Sequence, residues 1–206
     1  MQETEKRVGL PLRDAHRLKD AVDGQYRRTS VVNRTVVVKV DNDDFSPDPD
    51  TLVDIKSKLI GDQALLSVKY GSWHGDCARQ EYEVRFHHDD LGHLLAILKL
   101  FGHSKFIVLA TVRTTWIAEG VVITLDEYHQ IGQALFEVEL QHSASGDEDA
   151  IDAVDAVFKT LGTVPMTSEQ TIEFISRLNR VREIQIDLDT ASADQLAERI
   201  LAGHTT

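Results

Sequence analysis

The stretch Arg79 to Phe86, read R-Q-E-Y-E-V-R-F, constrains the fold more than any other part of the chain. In an extended strand successive side chains point to opposite faces. Arg79, Glu81, Glu83 and Arg85 therefore share one face, and Gln80, Tyr82, Val84 and Phe86 the other. One such strand needs nothing more than water on its charged side. Repetition changes the reading. Glu3, Glu5 and Arg7 follow the same two-residue step, as do Lys56 and Lys58 and then Glu137 and Glu139, with Lys69 closing A-L-L-S-V-K. Five strands bearing charges of both signs at alternate positions imply a shared polar surface.

The remaining segments supply the frame. Glu3 to Val8 reads as a strand that V-G-L-P-L breaks. Pro11 then suits a helical first turn, Leu12, Ala15, Leu18 and Val22 recur at helical spacing, and Gly24 ends the helix. Val31 to Val40 is rich in β-branched residues and is the surest strand by composition. Thr51 to Leu59 and Gln63 to Tyr70 form a hairpin turning at Gly61. Leu91, Leu94, Leu95, Leu98 and Phe101 make an apolar helical stripe for core packing, stopped by Gly102. Lys105 to Trp116, Val121 to Asp126 and Ala134 to Leu140 add three strands. Helical spacing returns from Ile151 to Leu161, Ser168 to Val181 and Ala191 to Leu201.

Eight strands with helices outside predict an α+β fold: an eight-stranded antiparallel β-barrel, or tunnel, with a charged lumen. Alternation assigns to the lumen Glu3, Glu5, Arg7, Lys56, Lys58, Lys69, Arg79, Glu81, Glu83, Arg85, Arg113, Asp126, Glu137 and Glu139. Burying so many charges without partners is prohibitive, so the lumen must be wet, ion-paired or filled by a charged guest. Carboxylates hold Mg²⁺ or Mn²⁺, while lysine and arginine hold phosphate oxygens. A nucleotide or polyphosphate with its metals uses both sets. Periodicity alone fits an open sheet with a solvated charged face equally well.

Composition narrows the classes. The 206 residues suit one domain, and a formal net charge of −12 opposes nucleic-acid binding over the surface as a whole. No apolar run is long enough to span a bilayer, and residues 1–20 lack the apolar core of a secretory signal, so the expected location is cytoplasmic. Cys77, the single cysteine, excludes an intrachain disulfide framework and a multi-thiolate zinc site within one chain. The acidic loop D-N-D-D-F-S-P-D-P-D lacks the glycine and terminal glutamate spacing of an EF-hand and reads as solvated. His74 and Cys77 are too few for a metal site, and the adjacent His87 and His88 are expected to diverge.

In their order along the chain these motifs resemble the CYTH domains, or triphosphate tunnel metalloenzymes. Glu3-Thr4-Glu5-Lys6-Arg7 is similar to that family's N-terminal E-x-E-x-K. Lys56 to Lys58 resembles its R-x-R strand, Ala64 to Lys69 its L-T-L-K, and Arg79 to Glu83 its R-x-E-x-E. Leu125-Asp126 and Glu137-Val138-Glu139 resemble its late L-D and E-x-E. The resemblance spans residues 1–162 and leaves 163–206 as a C-terminal helical extension packed on the same domain.

The resemblance implies metal-dependent hydrolysis of an inorganic or organic triphosphate. Glu3, Glu5, Glu137 and Glu139 would hold Mg²⁺ or Mn²⁺. Glu81, Glu83 and Asp126 would position a metal or water as catalytic groups. Arg7, Lys56, Lys58, Lys69, Arg79, Arg85 and Arg113 would bind the substrate. A class IV adenylyl cyclase acting on ATP and a non-catalytic triphosphate or polyphosphate sensor are the alternatives, and a homodimer is compatible with either. Two departures stand out. The family's K-x-R after the central helix is here Arg113-Thr114-Thr115, without the second cation, and its basic, tyrosine-containing C-terminal segment is here T-S-E-Q-T-I-E-F. Arg85 and Lys159 are the candidates to replace the lost charge.

Overall fold

The structure, a computed structural model, describes residues 2–48, 50–71, 79–118, 120–142 and 147–204; the side chains of Glu3 and Arg79 lie outside that description. In chain order the elements are β1 (Gln2–Pro11), α1 (Leu12–Asp23), β2 (Arg27–Val40), β3 (Val53–Ile60), β4 (Gln63–Tyr70), β5 (Arg79–His87) and α2 (Leu91–Leu100). There follow β6 (Lys105–Ala118), β7 (Val121–Tyr128), β8 (Gln133–His142), α3 (Asp147–Thr160), α4 (Ser168–Asn179), β9 (Gln185–Asp187) and α5 (Ala193–His204).

The strands form one antiparallel sheet in the order β2, β3, β4, β5, β1, β8, β7, β6, β9, and β6 also pairs with β2. That last ladder is long, running from Arg27 opposite Ile117 to Val40 opposite Lys105, with one irregularity between Arg28 and Ser30. The class is α+β, with nine strands in place of the eight expected. The extra strand, β9, covers Gln185–Asp187, three residues to which no element was assigned from the sequence, and it pairs with Lys105 to Ile107. It is too short for periodicity to reveal.

Local chemistry explains most of the boundaries. Pro11 has no N–H to leave unpaired and a fixed φ, so it stands directly before α1, at φ −59° and ψ 145°. The β3–β4 turn places Gly61 at φ +60°, a left-handed conformation that costs glycine nothing. Gly9 does not break β1 as expected: the strand continues to Pro11, with Gly9 opposite Leu135 on β8. A Cβ at Gly9 would lie 2.4 Å from the Phe174 ring, so the missing side chain makes room for α4.

Three apolar clusters hold the layers together. Leu91, Leu95 and Leu98 of α2 and Leu196, Ala197 and Ile200 of α5 cover Val37, Ile55, Leu59 and Ala64 of β2 to β4. Ala15 and Val22 of α1 and Val154, Val157 and Phe158 of α3 cover Trp116, Ile123, Leu125, Phe136 and Val138 of β6 to β8. Each fully buried large side chain contributes about 1.5–3 kcal/mol. The α2 stripe stops short of its expected end, because Phe101 is 76% exposed. In the third cluster Leu178 of α4 meets Val40, Ile107, Leu109 and Tyr128. Among the described residues no helix is long and apolar enough to cross a membrane.

Candidate functional site: a charged cavity

A cavity lies on the face of the strands that carries the alternating charges. Its acids are Glu5 on β1, Asp54 on β3, Glu81 on β5, Asp126 on β7, Glu137 and Glu139 on β8, and Asp41 and Asp48 in the loop after β2. Its bases are Arg7, Arg34, Lys39, Lys56, Lys58, Lys69 and Arg113, from β1, β2, β3, β4 and β6. Strand pairing brings distant motifs together: Glu5 stands opposite Glu139 and Arg7 opposite Glu137. In the same way Lys69 is opposite Glu81, and Arg113 is opposite Asp126.

These charges answer one another. Glu5 is shared between Arg7, which pairs with one of its oxygens, and Lys69, whose Nζ donates to the other at 3.2 Å. Glu137 accepts from Arg113 at 3.3 Å and faces the Arg7 guanidinium at 3.5 Å. Lys56 pairs with Asp54 at 2.9 Å, and Lys58 lies 3.7 Å from Glu81 and 3.4 Å from Glu83. Ser67 donates a hydrogen bond to Glu81.

The most deeply buried ion pair of the cavity is Arg34 with Asp126, and Arg113 joins it from β6. Asp126 accepts from Arg34 Nη2 at 2.7 Å and from Arg113 Nε at 2.8 Å, with a further bond from Arg113 Nη2. Burial alone would push the Asp126 carboxyl up, but the charges of Arg113 and Arg34 outweigh it and hold the pKa below the usual carboxylate value. Tyr128, two residues on, is pushed well above its usual range by burial and by the charges of Asp126 and Glu137. Arg7 is held charged: burial opposes the charge, but Glu5, Glu137 and Asp54 together raise its pKa.

Of the residues expected from sequence, Glu5, Arg7, Lys56, Lys58, Lys69, Glu81, Arg113, Asp126, Glu137 and Glu139 line the cavity. Glu83 shares Lys58 with Glu81 and so lies on the same face, yet its side chain is 45% exposed. Arg85, opposite Leu65, is exposed and is not among the lining residues, and Lys159 is exposed at the end of α3. Neither replaces the cation missing at Thr115. Arg34 brings a second guanidinium to Asp126, and sequence reasoning missed it. The signal was a lone arginine in a β-branched run, at the same parity as Val36 and Val38. Asp54 was missed too, although it stands two residues before Lys56.

The placements of Glu3 and Arg79 as site residues fall on side chains outside the description, although their backbones pair with each other. His74 and Cys77 lie outside the described residues altogether. His87 and His88 do not diverge as expected. The chain turns after β5 into a short 3₁₀ segment, which brings the two rings to 4.9 Å and groups them with Asp89 within 4.8 Å. This cluster is at the surface, with the Asp89 carboxylate 3.0 Å from His88 and 3.3 Å from His87.

Solved structures share this arrangement of elements. A protein of Pyrococcus horikoshii superposes with a TM-score of 0.59 at 16% identity, over 84% of this chain and 98% of that one. HpAC1 of Hippeastrum, an adenylyl cyclase candidate with a dominant triphosphatase activity, gives 0.53 at 15% identity over 88% of this chain and 97% of that one. An adenylate cyclase candidate of Bacillus halodurans gives 0.54 at 14%, over 84% and 98%. The chain has a CYTH-type fold. At these identities the likeness concerns the fold, which by itself does not fix an activity. No protein-family model matches the sequence, and no curated protein matches it.

Proposed function

We propose that the protein binds a triphosphate with a divalent cation inside a tunnel and hydrolyses it. The observation that carries this reading is one cavity lined, among the described residues, by eight acids and seven bases that come from all of β1 to β8 and the loop after β2. Closure into a tunnel is supported by the β2–β6 ladder, which gives each of β1 to β8 a partner on both sides. The segment 163–206 belongs to the same unit: β9 pairs with β6, α4 lines the cavity, and Met166 N–H donates to the Arg7 carbonyl at 2.8 Å.

The donor set fits a hard cation. Glu5, Glu137 and Glu139 offer carboxylate oxygens from facing positions on adjacent strands, the ligand type that Mg²⁺ and Mn²⁺ take. Glu3, by its place on β1, is the fourth member we assign. Such a cation, when bound, polarises a phosphoryl oxygen and makes water a better nucleophile. Arg7, Lys56, Lys58, Lys69 and Arg113 hold phosphate oxygens by charge-assisted hydrogen bonds, which concentrate on the substrate as it displaces the acids now paired with them. Glu81, with Glu83 at the rim, orients the attacking water. Asp126 fixes the direction of the Arg113 fork, so the charge stabilising the leaving phosphate is already in place.

The test is phosphate release from tripolyphosphate, thiamine triphosphate and ATP with Mg²⁺ or Mn²⁺, together with assay for cyclic AMP. Metal-dependent phosphate release supports hydrolysis. Cyclic AMP from ATP replaces it with the cyclase reading, and tight binding without turnover replaces it with the sensor reading that Thr115 favours. Glu137→Gln with Glu139→Gln should abolish the metal-dependent activity, because glutamine keeps the size and removes the charge. Lys56→Ala with Lys69→Ala should weaken triphosphate affinity, each lost contact being worth about 1.5–3 kcal/mol.

A further inference from the structure

The strand charges that face into the cavity gather toward one end; the other charged lining residues, Lys39 paired with Asp41, and Asp48, come from the end of β2 and the loop that follows. Along β2 the inward residues run Arg34, Val36, Val38, and along β6 they run Arg113, then Leu109 and Ile107. The register sets Val36 opposite Leu109 and Val38 opposite Ile107, so both strands change from charged to apolar at the same level. On β8 the same change separates Glu139 and Glu137 from Leu135. Helix α4 covers this apolar end with Phe174, Ile175 and Leu178, the Phe174 ring standing over Gly9. Beside them Asn179 lines the cavity at 3% exposure, and its Oδ1 is buried with no hydrogen-bond partner among the described residues.

We propose that this end is a subsite for the organic part of the substrate, a flat ring bearing an N–H donor of the nucleobase kind. The proposal rests on the triphosphate reading and narrows it: the substrate is an organic triphosphate and not inorganic tripolyphosphate. Tripolyphosphate is charged along its whole length and gains nothing from a wall of Val36, Val38, Ile107, Leu109 and Phe174, which would strip its water without replacing it. An organic triphosphate has one end of each character. The buried Asn179 carbonyl favours a ring with a donor, since a simple apolar core does not leave an acceptor unpaired. Phosphates among the arginines and lysines put the ring toward α4, within reach of Asn179.

The test is titration calorimetry of the full chain with Mg²⁺ and three ligands: tripolyphosphate, ATP, and purine riboside triphosphate, in which hydrogen replaces the exocyclic amine and the ring keeps no N–H donor. ATP should bind at least about tenfold more tightly than tripolyphosphate, because the ring buries apolar surface. Purine riboside triphosphate should bind several-fold more weakly than ATP. Asn179→Leu should bring ATP down to the level of purine riboside triphosphate, and Ile175→Trp, which fills the subsite, should bring ATP down to the level of tripolyphosphate. Wild-type protein binding tripolyphosphate as tightly as ATP overturns the subsite while leaving the triphosphate reading intact, and this comparison needs no variant to fold. Failure of all three ligands to bind overturns the triphosphate reading itself.

Discussion

Strand β5 and the corner formed by β2, β6 and β7 both carry inward charges, yet they occupy opposite environments. β5 holds the densest alternation in the chain, but Glu83 is 45% exposed, and Tyr82 and Val84 on its other face are 59% and 61% exposed. The corner has one inward charge per strand, and there Arg34 is 7% and Asp126 1% exposed. The difference lies in what backs each strand. Helices α1 and α3 cover the outer side of β6 and β7, whereas Tyr82 and Val84 face solvent. Charge density along a strand therefore says which residues share a face, and the packing around the strand decides how much each charge matters.

The sharpest way to break this comparison is to remove the acid at the centre of the corner. Asp126→Ala leaves the Arg34 and Arg113 guanidinium groups without their shared partner in a buried setting. Breaking a buried pair in this way costs about 3–5 kcal/mol. Urea unfolding followed by circular dichroism should show a loss of that size, and a loss below about 1 kcal/mol would mean that the corner is as wet as β5.

The same carboxyl gives the comparison a pH signature. Burial alone would raise the Asp126 pKa, but Arg113 and Arg34 hold it below its ordinary 3.8. A group depressed on folding contributes stability that is fully present above its unfolded pKa and is lost as pH falls through its folded one. Stability from Asp126 should thus decline from near pH 3.8 downward. Asp126→Asn should flatten that acid limb. An unchanged slope between wild type and Asp126→Asn would place the acid-sensitive groups elsewhere.

Much of this layout was readable from sequence, and the omissions share a cause. Parity alone identifies Glu5, Arg7, Lys56, Lys58, Lys69, Glu81, Glu137 and Glu139, because each belongs to a two-apart pair or closes a strand. Arg34 escaped because it is single and sits among valines, which suggest packing and not chemistry. Arg85 was included because its parity matches Glu81 and Glu83, and parity carries no information about depth. The apolar end escaped because Phe174 and Asn179 come from α4, whose helical spacing shows an apolar stripe without showing that the stripe closes a cavity. β9 has three residues, too few to display any period.

Gly9→Ala probes the α4 end of the cavity. The added methyl would meet the Phe174 ring at 2.4 Å, and the ring is 5% exposed. It has little space to yield. Overpacking of this kind costs about 1–3 kcal/mol. Phe174→Leu in the same chain should recover most of the loss by shortening the side chain that collides, and a double-mutant cycle measures the coupling. If Gly9→Ala and Phe174→Leu prove additive, the ring does not occupy the space that the glycine leaves open.

The smallest effect should come from β5, and its size is what makes it informative. Glu83→Gln removes one charge from a half-exposed side chain whose pairing with Lys58 is 3.4 Å long, and Lys58 keeps a second acid, Glu81, at 3.7 Å. Pairs near the surface contribute little, since water and salt screen them and two flexible side chains must be held in one geometry. The expected change in unfolding free energy is within about 0.5 kcal/mol, and it should shrink further in high salt. The unfolding curve should therefore be nearly superimposable on wild type while the proposed metal-dependent phosphate release falls, because the water-orienting role proposed for Glu83 needs the carboxylate even where the fold does not. A stability loss comparable to that of Asp126→Ala would show that β5 is covered in solution. Full activity with unchanged stability would leave water orientation to Glu81 alone.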